Sequence, residues 1–315
     1  MTDVAVGVDI GGTSSRALAV SADGRVAGRG SSGGGNPNSH PPALAAGRVA
    51  AAVADAVPSG AVVAGCMLGL AGESKFTDPA VVSVFETALR QAGVGCRIDV
   101  VSDAEVAFAS ATSSPEGTVL IGGTGSVAAR IVRRRKESWR GGWGWLLGDE
   151  GSAYWIGRQA VRSTLAALQS TGALGPLALA VLAEAVETPF ADDPAGRRLA
   201  LSRLITAVNA DAPIRLARFA SLVSGLAATD RAAAEIVTDA AGLLADQARL
   251  TRTPDETTPV VLAGSVIGPA SPVGVALRER LSGETEVLFA PDGATGAAWL
   301  AALAAWGPQA PRPVV

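Results

Sequence analysis

Residues 8–15 read VDIGGTSS and residues 119–126 read VLIGGTGS, so the chain carries the same Gly-Gly-Thr turn twice. Each copy follows a run of β-branched residues, which is typical of a strand. A strand that turns sharply through two glycines exposes backbone N–H groups with no Cβ in the way, and such groups bind phosphate oxygens. An ordinary tight hairpin explains either copy alone. Two copies at equivalent points of a duplicated unit instead favour two turns that clamp one polyphosphate.

The composition is that of a globular chain. Hydrophobic residues make up 48% of the 315 residues and charged residues 17%, which excludes a disordered or fibrous protein. The net charge is −3, and the basic stretch 133–136 is expected to be a solvated strand end or turn rather than a polyanion site. Nucleic acid is therefore not an expected partner. The single His40 excludes a multi-histidine metal site and argues against a Ser-His-Asp triad.

The two cysteines and the apolar runs indicate in which cellular compartment the protein is expected. Cys66 and Cys96 each lie in an apolar run, which predicts buried, reduced thiols in a cytosolic protein; a disulfide or a cluster shared between subunits is the alternative. The first residues show no signal-peptide pattern, and runs such as 61–71 are too short and too interrupted by glycine to cross a bilayer. A cytoplasmic protein with no membrane segment is expected.

Strand and helix signals alternate in the same order in both halves of the chain. The first half predicts strands at 4–9, 16–20, 25–29, 61–68 and 97–102, with helices at 42–57 and 79–92 and from Asp103. The second half predicts strands at 118–121, 127–133, 137–140, 259–263 and 285–289, helical patterns over 150–252, and helices at 272–282 and 292–305. This order predicts a duplicated βββαβαβα unit of the α/β class, with a helical insertion in the second copy and a cleft between the copies.

The predicted domains follow from this duplication. Residues 1–115 form the first, and residues 116–291 form the second with its insertion at about 150–252. Asp9 ends the first strand just before the glycines, where a carboxylate holds Mg²⁺ through water. In the second copy the residues just before the glycines, up to Ile121, are apolar, so only one half is expected to serve the metal.

Four segments in order, VDIGGTSSRALAV, IGGTGSVAARI, GGWGWLLGDEGSAYWIGRQAV and VLAGSVI, resemble the sugar kinases of the actin/hexokinase/Hsp70 superfamily. The resemblance is strongest to the N-acetylglucosamine kinase and BadF/BadG-type ATPase family, and it covers nearly the whole chain. It implies RNase H-like ATPase domains, with the last helix, 292–306, returning to the first domain. It also implies ATP and Mg²⁺ as cofactors, and a homodimer. The zinc-site cysteines and histidine of the ROK branch are absent, so that branch is not expected.

The resemblance also assigns nucleotide contacts. It implies that ATP phosphates bind to the two turns and adenosine to the Ala-Gly-Ser turn after a late strand. The phosphate-binding residues are Gly11, Gly12, Thr13, Gly123, Thr124, Gly125 and Ser126, and the adenosine-binding residues are Gly264 and Ser265.

Asp103 is the expected catalytic base. It follows the strand 97–102 and opens a helix, and it matches the place of the family's catalytic aspartate. Phosphoryl transfer to a hydroxyl needs a carboxylate that accepts the proton. A plain helix N-cap is the alternative reading of Asp103. Glu105 is the weaker candidate and is expected to be a surface charge.

The sugar contacts implied by the resemblance are Asn36, Asn38, Asp103, Gly144 and Asp149. A solvent loop is the alternative for the Gly-rich segment 33–38, and helix capping is the alternative for Asp149. Trp143 and Trp145 either stack on a pyranose or pack into space left by glycine, and packing is favoured for at least one of them.

The function implied is ATP-dependent phosphorylation of an amino sugar, with N-acetylglucosamine at its 6-hydroxyl favoured and glucosamine next. An ATPase that couples hydrolysis to a protein partner is the alternative. A nucleotide- or sugar-binding protein without turnover would require a defect in the phosphate turns, and the sequence contains none.

Overall fold

The computed structural model describes residues 2–186 and 189–314. Within them the chain divides into two compact units. The first contains the described parts of Met1–Val119, Ile131–Glu137 and Ala290–Val315, and the second contains those of Leu120–Arg130 and Ser138–Phe289.

The first sheet has five strands in the order β3-β2-β1-β4-β5. The strands are β1 (Asp3–Ile10), β2 (Ser14–Ser21), β3 (Val26–Gly33), β4 (Val62–Leu70) and β5 (Ile98–Ser102). β1, β2 and β3 pair antiparallel, as the expected meander, while β4 runs parallel to both β1 and β5. Most of β1 is buried, which explains its nearly continuous run of apolar residues.

Helices α1 (Pro42–Ala56), α2 (Pro79–Gln91) and α3 (Asp103–Ala111) connect or follow these strands. α1 and α2 each have proline in the first turn, where its missing N–H costs no helical hydrogen bond. The Asp78 side chain caps α2 by accepting a hydrogen bond from the N–H of Ala80.

The second sheet repeats the design of the first. Its strands are β6 (Gly117–Gly122), β7 (Ser126–Val132), β8 (Arg135–Gly141), β9 (Val260–Ala263) and β10 (Val287–Phe289), in the order β10-β9-β6-β7-β8. Counted within each half and read from the matching edge, both sheets have the order third, second, first, fourth, fifth. The predicted α/β class with a duplicated unit is confirmed.

Helices fill the chain between β8 and β9. They are α4 (Ala153–Leu168), α5 (Pro176–Ala185), α6 (Pro194–Asn209), α7 (Ala220–Leu226) and α8 (Arg231–Arg249). Their apolar faces share one buried core with β6 and β9, in which Leu120, Ile156, Phe219, Leu244 and Leu262 are almost fully buried. The insertion is therefore packed onto the second sheet rather than standing apart from it.

The last two helices are α9 (Pro272–Leu281) and α10 (Gly293–Trp306). α10 packs on β1 so closely that a Cβ at Gly7 would overlap the backbone of Ala297 and Ala298. This close contact needs a glycine in the strand and small residues in the helix. It sets the N-terminus of α10 beside the end of β1.

Three smaller predictions have clear outcomes. Cys66 is buried, and loss of hydration raises the pKa of its thiol, but Cys96 is only half-buried, so the prediction of two buried thiols is right for one. Arg133 and Arg134 form the left-handed turn between β7 and β8, as expected for that basic stretch. Within 2–186 and 189–314, no helix is both long and apolar enough to span a bilayer.

Candidate active site

The first Gly-Gly-Thr turn joins β1 to β2, and hydrogen bonds hold its carbonyl groups. The Gly11 N–H donates to the Ser14 carbonyl at 2.9 Å, which closes the turn. The Asn36 N–H donates to the Gly11 carbonyl at 3.2 Å, and the ring Nε2 of His40 lies 2.7 Å from the Gly12 carbonyl oxygen. The turn is therefore built partly by the loop that follows β3.

These bonds orient the N–H groups of Gly12 and Thr13. A peptide unit is planar and trans, so fixing its carbonyl fixes the direction of the next N–H. Neither N–H has a partner among the described residues, and both residues are exposed. The Gly11 N–H, in contrast, is used inside the turn. Of the three backbone N–H groups of described residues 11–13, two are thus available to an anion.

The second turn joins β6 to β7 and is held by a helix. The N–H groups of Ala153 and Tyr154, in the first turn of α4, donate to the carbonyls of Gly123 and Thr124 at 2.9 and 3.2 Å. The first N–H groups of a helix lack partners within the helix, so this contact satisfies both sides. It orients the N–H groups of Thr124 and Gly125, which have no partner among the described residues.

Ser126 and Asp149 complete the second turn. The Ser126 N–H donates to Asp149 Oδ1 at 3.1 Å, and the Ser126 hydroxyl donates to the Glu150 carbonyl at 2.8 Å. A Cβ at Gly125 would lie 2.7 Å from Asp149 Oδ1, so only glycine fits beneath this carboxylate. Ser126 thus uses its donors to hold the turn together.

The capping alternative for Asp149 is wrong. α4 begins at Ala153, and its cap is Ser152, whose hydroxyl accepts a hydrogen bond from the N–H of Trp155. Asp149 is instead buried in a left-handed conformation with φ of 59°, and Gly151 has φ of 76°. Two left-handed residues before Ser152 prevent the helix from starting earlier.

Three carboxylates and one guanidinium gather where the parallel strands of the first sheet end. The strand register sets Asp9 beside Gly69, and Gly69 beside Val101, so Asp9 and Asp103 end at the same edge. Arg16 lies opposite Asp9 on β2, and its guanidinium is 3.8 Å from Asp9 and 3.8 Å from Asp292. Asp292 caps α10 by accepting from the Ala294 N–H.

The environment of Asp9 disfavours its charge. Burial, and then the nearby charges of Asp292 and Asp103, raise the pKa of Asp9 to about 6, although Arg16 opposes the change. A cation bound at this edge would favour the charged form of the Asp9 carboxylate, as an opposite charge nearby does. The oxygen donors suit Mg²⁺.

A magnesium ion at this edge would need ligands from outside the protein as well. Within the described part of the chain, no group of three or more His, Cys, Asp or Glu residues has metal-binding geometry. Mg²⁺ keeps several waters and is usually bound by one or two carboxylates together with substrate phosphates. Asp9 fits the expected role of a carboxylate that contacts such an ion through water.

The alternative reading of Asp103 as a helix cap is wrong. Ser102 caps α3, and Glu105 accepts hydrogen bonds at 2.7 Å from both the N–H and the hydroxyl of Ser102, which forms a capping box. Asp103 is the first residue of the helix and accepts from the Ala104 N–H at 2.9 Å. Glu105 is buried and lies 3.4 Å from Arg135, so its prediction as a surface charge is also wrong.

The loop after β3 is not a solvent loop. Residues 34–37 are buried. Asn36 donates its side-chain N–H to the Ala71 carbonyl at 2.8 Å, and Asn38 donates to the Gly72 carbonyl at 2.6 Å. Both amides therefore already tie this loop to the end of β4, and their expected contact with a sugar stays a prediction.

The tryptophan-containing segment before Asp149 is exposed. Trp143 is 66% exposed, while the ring of Trp145 lies 5.8 Å from that of Tyr154. Gly144 has φ of 78°, a conformation that favours glycine. Trp143 and Asp149 line a cavity of about 280 Å³ that is closed on another side by α8.

Gly264 lies directly after β9. Its φ is 102°, and a Cβ would overlap the Gly122 carbonyl oxygen at the end of β6. The exposed Ser265 begins a 3₁₀ turn, Ser265–Ile267. Glycine at 264 is thus required both by its conformation and by the close approach of two strands.

Sequence reasoning missed three residues of this region: Arg16, His40 and Asp292. Arg16 carried a usable signal, because it lies as far beyond the centre of the turn as Asp9 lies before it, and hairpin pairing brings such residues together. His40 and Asp292 meet the turn region from distant segments, and no local pattern indicates those contacts.

Comparisons with known proteins agree with this architecture. Residues 6–301 match the model of the BadF/BadG/BcrA/BcrD ATPase family. A stretch of 105 residues is 36% identical to the N-acetylmuramic acid/N-acetylglucosamine kinase of Clostridium acetobutylicum, and it covers 33% of each chain. A stretch of 182 residues is 30% identical to the N-acetyl-D-glucosamine kinase of Dictyostelium discoideum, and it covers 54% of this chain and 56% of that protein. The chain thus spans about a third and just over half of the lengths of these two relatives.

Solved structures resemble the whole chain. A candidate N-acetylglucosamine kinase from Chromobacterium violaceum superposes with a TM-score of 0.72 at 25% identity, over 94% of this chain and 98% of that one. A ROK family glucokinase from Streptomyces griseus shares the fold, with a TM-score of 0.53 at 21% identity over 95% and 99% of the two chains. Since the family model covers nearly the entire sequence, the chain belongs to the BadF/BadG/BcrA/BcrD ATPase family.

Proposed function

We propose that this protein is an ATP- and Mg²⁺-dependent kinase that phosphorylates an amino sugar. N-Acetylglucosamine, at its 6-hydroxyl, is the first-choice acceptor, and glucosamine is the second. The partners proposed are therefore ATP, the amino sugar and a second copy of the chain. The names of the curated relatives support a sugar acceptor, because both are kinases of N-acetylated amino sugars.

The observation that carries the proposal is the shared design of the two turns. In each, hydrogen bonds to two successive carbonyls orient the N–H groups that follow, and those N–H groups have no partner among the described residues. Oriented backbone donors of this kind bind phosphate oxygens. We assign phosphate contacts to Gly12, Thr13, Thr124 and Gly125, and we assign turn support to Gly11, Gly123 and Ser126.

The chemistry then needs a base and compensation of charge. The acceptor oxygen attacks the γ-phosphorus of ATP, the bond from that phosphorus to the bridging oxygen of ADP breaks, and the hydroxyl proton passes to the Asp103 carboxylate. Mg²⁺, held by ATP oxygens and through water by Asp9, would neutralise charge on the phosphates. Asp103 suits the role of base because Ser102 and Glu105 already cap its helix.

The remaining contacts extend the proposal. Gly264 and Ser265 bind adenosine, since an exposed glycine lets the adenine ring approach the backbone. Asn36, Asn38, Gly144 and Asp149 contact the sugar together with Asp103. For Asn38 this contact is compatible with its exposed position, whereas Asn36 would use the part of its amide left after its bond to Ala71.

Release of ADP with Mg-ATP, measured across a panel of sugars, tests this function. The panel contains N-acetylglucosamine, glucosamine, glucose, N-acetylmannosamine and N-acetylmuramate, each with a sugar-free control. Strong stimulation by one amino sugar supports the kinase and identifies its acceptor, and the position of the phosphate follows from NMR of the product. Slow hydrolysis that no sugar changes would contradict the proposal and favour an ATPase that acts on a protein partner.

A further inference from the structure

His40 is the only histidine of the chain, and it contacts the first Gly-Gly-Thr turn. Its Nε2 lies 2.7 Å from the Gly12 carbonyl oxygen, and because a carbonyl only accepts, Nε2 must carry the proton of this bond. The His40 N–H donates to the Asn36 carbonyl at 3.1 Å, which holds the histidine at the end of the loop after β3. The ring therefore links that loop to the turn.

This bond controls the direction of one phosphate donor. The Gly12 carbonyl and the Thr13 N–H belong to the same planar peptide unit, so holding the oxygen holds the N–H. A glycine backbone has unusual freedom, and without the ring this peptide would rotate more easily. His40 thus influences the direction of the Thr13 N–H through the Gly12 carbonyl.

The second turn supplies an internal comparison. There the Gly123 carbonyl, which matches the Gly12 carbonyl in the repeated Gly-Gly-Thr, accepts from the Ala153 N–H at the start of α4, and this bond orients the Thr124 N–H. In the first turn no helix begins at the equivalent place, and the imidazole of His40 makes the corresponding bond. Both turns therefore fix the same peptide, one with a helix terminus and one with a side chain.

Gly34 lies beside the contact between His40 and the turn. Gly34 lies against the bond, where a Cβ would overlap the Gly12 carbonyl oxygen and lie 2.7 Å from His40 Nε2. Arg48 donates to the Gly34 carbonyl at 2.9 Å and so holds this glycine in place. His40 and Gly34, both in the segment after β3, thus lie against the Gly12 carbonyl of the turn.

We propose that His40 is a positioning residue for nucleotide binding: it aligns the Thr13 N–H with the phosphates of ATP and couples the loop after β3 to the phosphate turn. This inference rests on the proposed function, since it takes ATP as the ligand of the turn. It assigns to the histidine no contact with the substrate and no proton transfer.

Two variants and two ligands test it. Titration calorimetry measures binding of Mg-ATP and of adenosine to the wild type, His40→Leu and His40→Gln. The Gln side chain places an N–H near the position of Nε2 and is expected to restore the bond. We expect about 5- to 10-fold weaker Mg-ATP binding for His40→Leu, the range for one lost hydrogen bond to an oriented donor, and binding within about 2-fold of the wild type for His40→Gln. Adenosine has no phosphates, so its affinity should not change in either variant.

Each result has one meaning. Equal Mg-ATP binding by the wild type and His40→Leu would overturn the role of His40, and so would an equal loss of adenosine binding, because it would indicate a general structural effect. A wild type that binds no Mg-ATP would overturn the proposed function and this inference together. The imidazole resonances of the single histidine provide a second readout: in the wild type they should shift when Mg-ATP is added, and an unchanged spectrum would contradict the coupling.

Discussion

Arg16 lies directly across the β1–β2 hairpin from Asp9, and its guanidinium contacts Asp9 and Asp292 at 3.8 Å each. The arginine is more than half exposed, whereas both carboxylates are mostly shielded. One largely exposed cation thus faces two carboxylates, one on β1 and one at the start of α10. The balance of charge at this edge depends on a side chain that a bound metal ion could replace.

The raised pKa of Asp9, about 6, predicts a pH-dependent cost to stability. Between about pH 4 and pH 6, Asp9 holds its proton in the folded state but has lost it in the unfolded state. The free energy of unfolding that Asp9 contributes therefore falls as the pH rises through this window. Asp9→Asn removes the cost and should raise the free energy of unfolding by about 1–3 kcal/mol at pH 7. The gain should be smaller at pH 4.5. Urea unfolding at both pH values, without nucleotide or Mg²⁺, measures the difference; an equal gain at both would contradict the raised pKa.

Removing Asp292 should lower the pKa of Asp9, because one of the charges that raise it is lost. The acid limb of kcat/KM, where protonation of Asp9 limits binding of Mg²⁺, should then move to lower pH in Asp292→Asn. Arg16→Met should move it to higher pH, since it removes the compensating cation. Opposite shifts in the two variants are the required result, and Asp23→Asn, on an exposed turn, is the control that should leave the profile unchanged.

Asp103→Asn should lower kcat by about 10²–10⁴-fold, the usual contribution of a general base. Binding of Mg-ATP should stay close to that of the wild type, because the amide keeps the size of the side chain. Asp99→Asn on β5, the strand that leads to Asp103, is the matched control, since Asp99 pairs with the exposed Arg97. Turnover near the wild-type rate in Asp103→Asn would remove this residue from the chemistry.

Gly264→Ala should destabilise the protein by about 1–3 kcal/mol and weaken nucleotide binding. The methyl group meets the Gly122 carbonyl, and φ of 102° is unfavourable for alanine. Gly283→Ala is the control, because a Cβ there has no atom within 4 Å. Thermal unfolding of the two variants measures the difference in stability. Similar melting temperatures for Gly264→Ala and Gly283→Ala would indicate that the backbone after β9 adjusts to the methyl group at little cost.

Asp149→Asn separates two roles of one side chain. Asparagine tolerates the left-handed conformation and still offers an oxygen to the Ser126 N–H, so the second turn should persist. If Asp149 also contacts the sugar, KM for the sugar should rise about 10-fold with little change in KM for ATP, as expected for a lost hydrogen bond to a charged group. A rise confined to KM for ATP would assign Asp149 to the turn alone.

Much of the fold could be predicted from the sequence because its signals are local. Buried strands such as β1 appear as runs of β-branched residues, and prolines or aspartates indicate where α1, α2 and α10 begin. The start of α4 was less predictable, because Asp149, Glu150 and Ser152 all suit a helix terminus. The left-handed conformations of Asp149 and Gly151 decide between them, and a sequence does not reveal those conformations.

The candidate site could be predicted only in part. The two turns and Asp103 have local motifs, whereas the role of Glu105 depends on burial and that of His40 on a contact across 28 positions. Side-chain contacts between distant segments leave no periodic pattern. The sequence therefore indicates which residues can bind phosphate, but not which neighbours orient them.

The groups that hold the carbonyls of the two turns differ, and this difference affects how readily substitutions can alter each half of the duplicated protein. In the second turn the supporting donors are backbone groups of α4, which every amino acid but proline supplies, so substitutions there leave the support in place. In the first turn one of the supports is an imidazole, which a single codon change removes. With the role proposed for His40, the first half is the one in which a point substitution adjusts nucleotide affinity, and it is the place to begin a directed-evolution library.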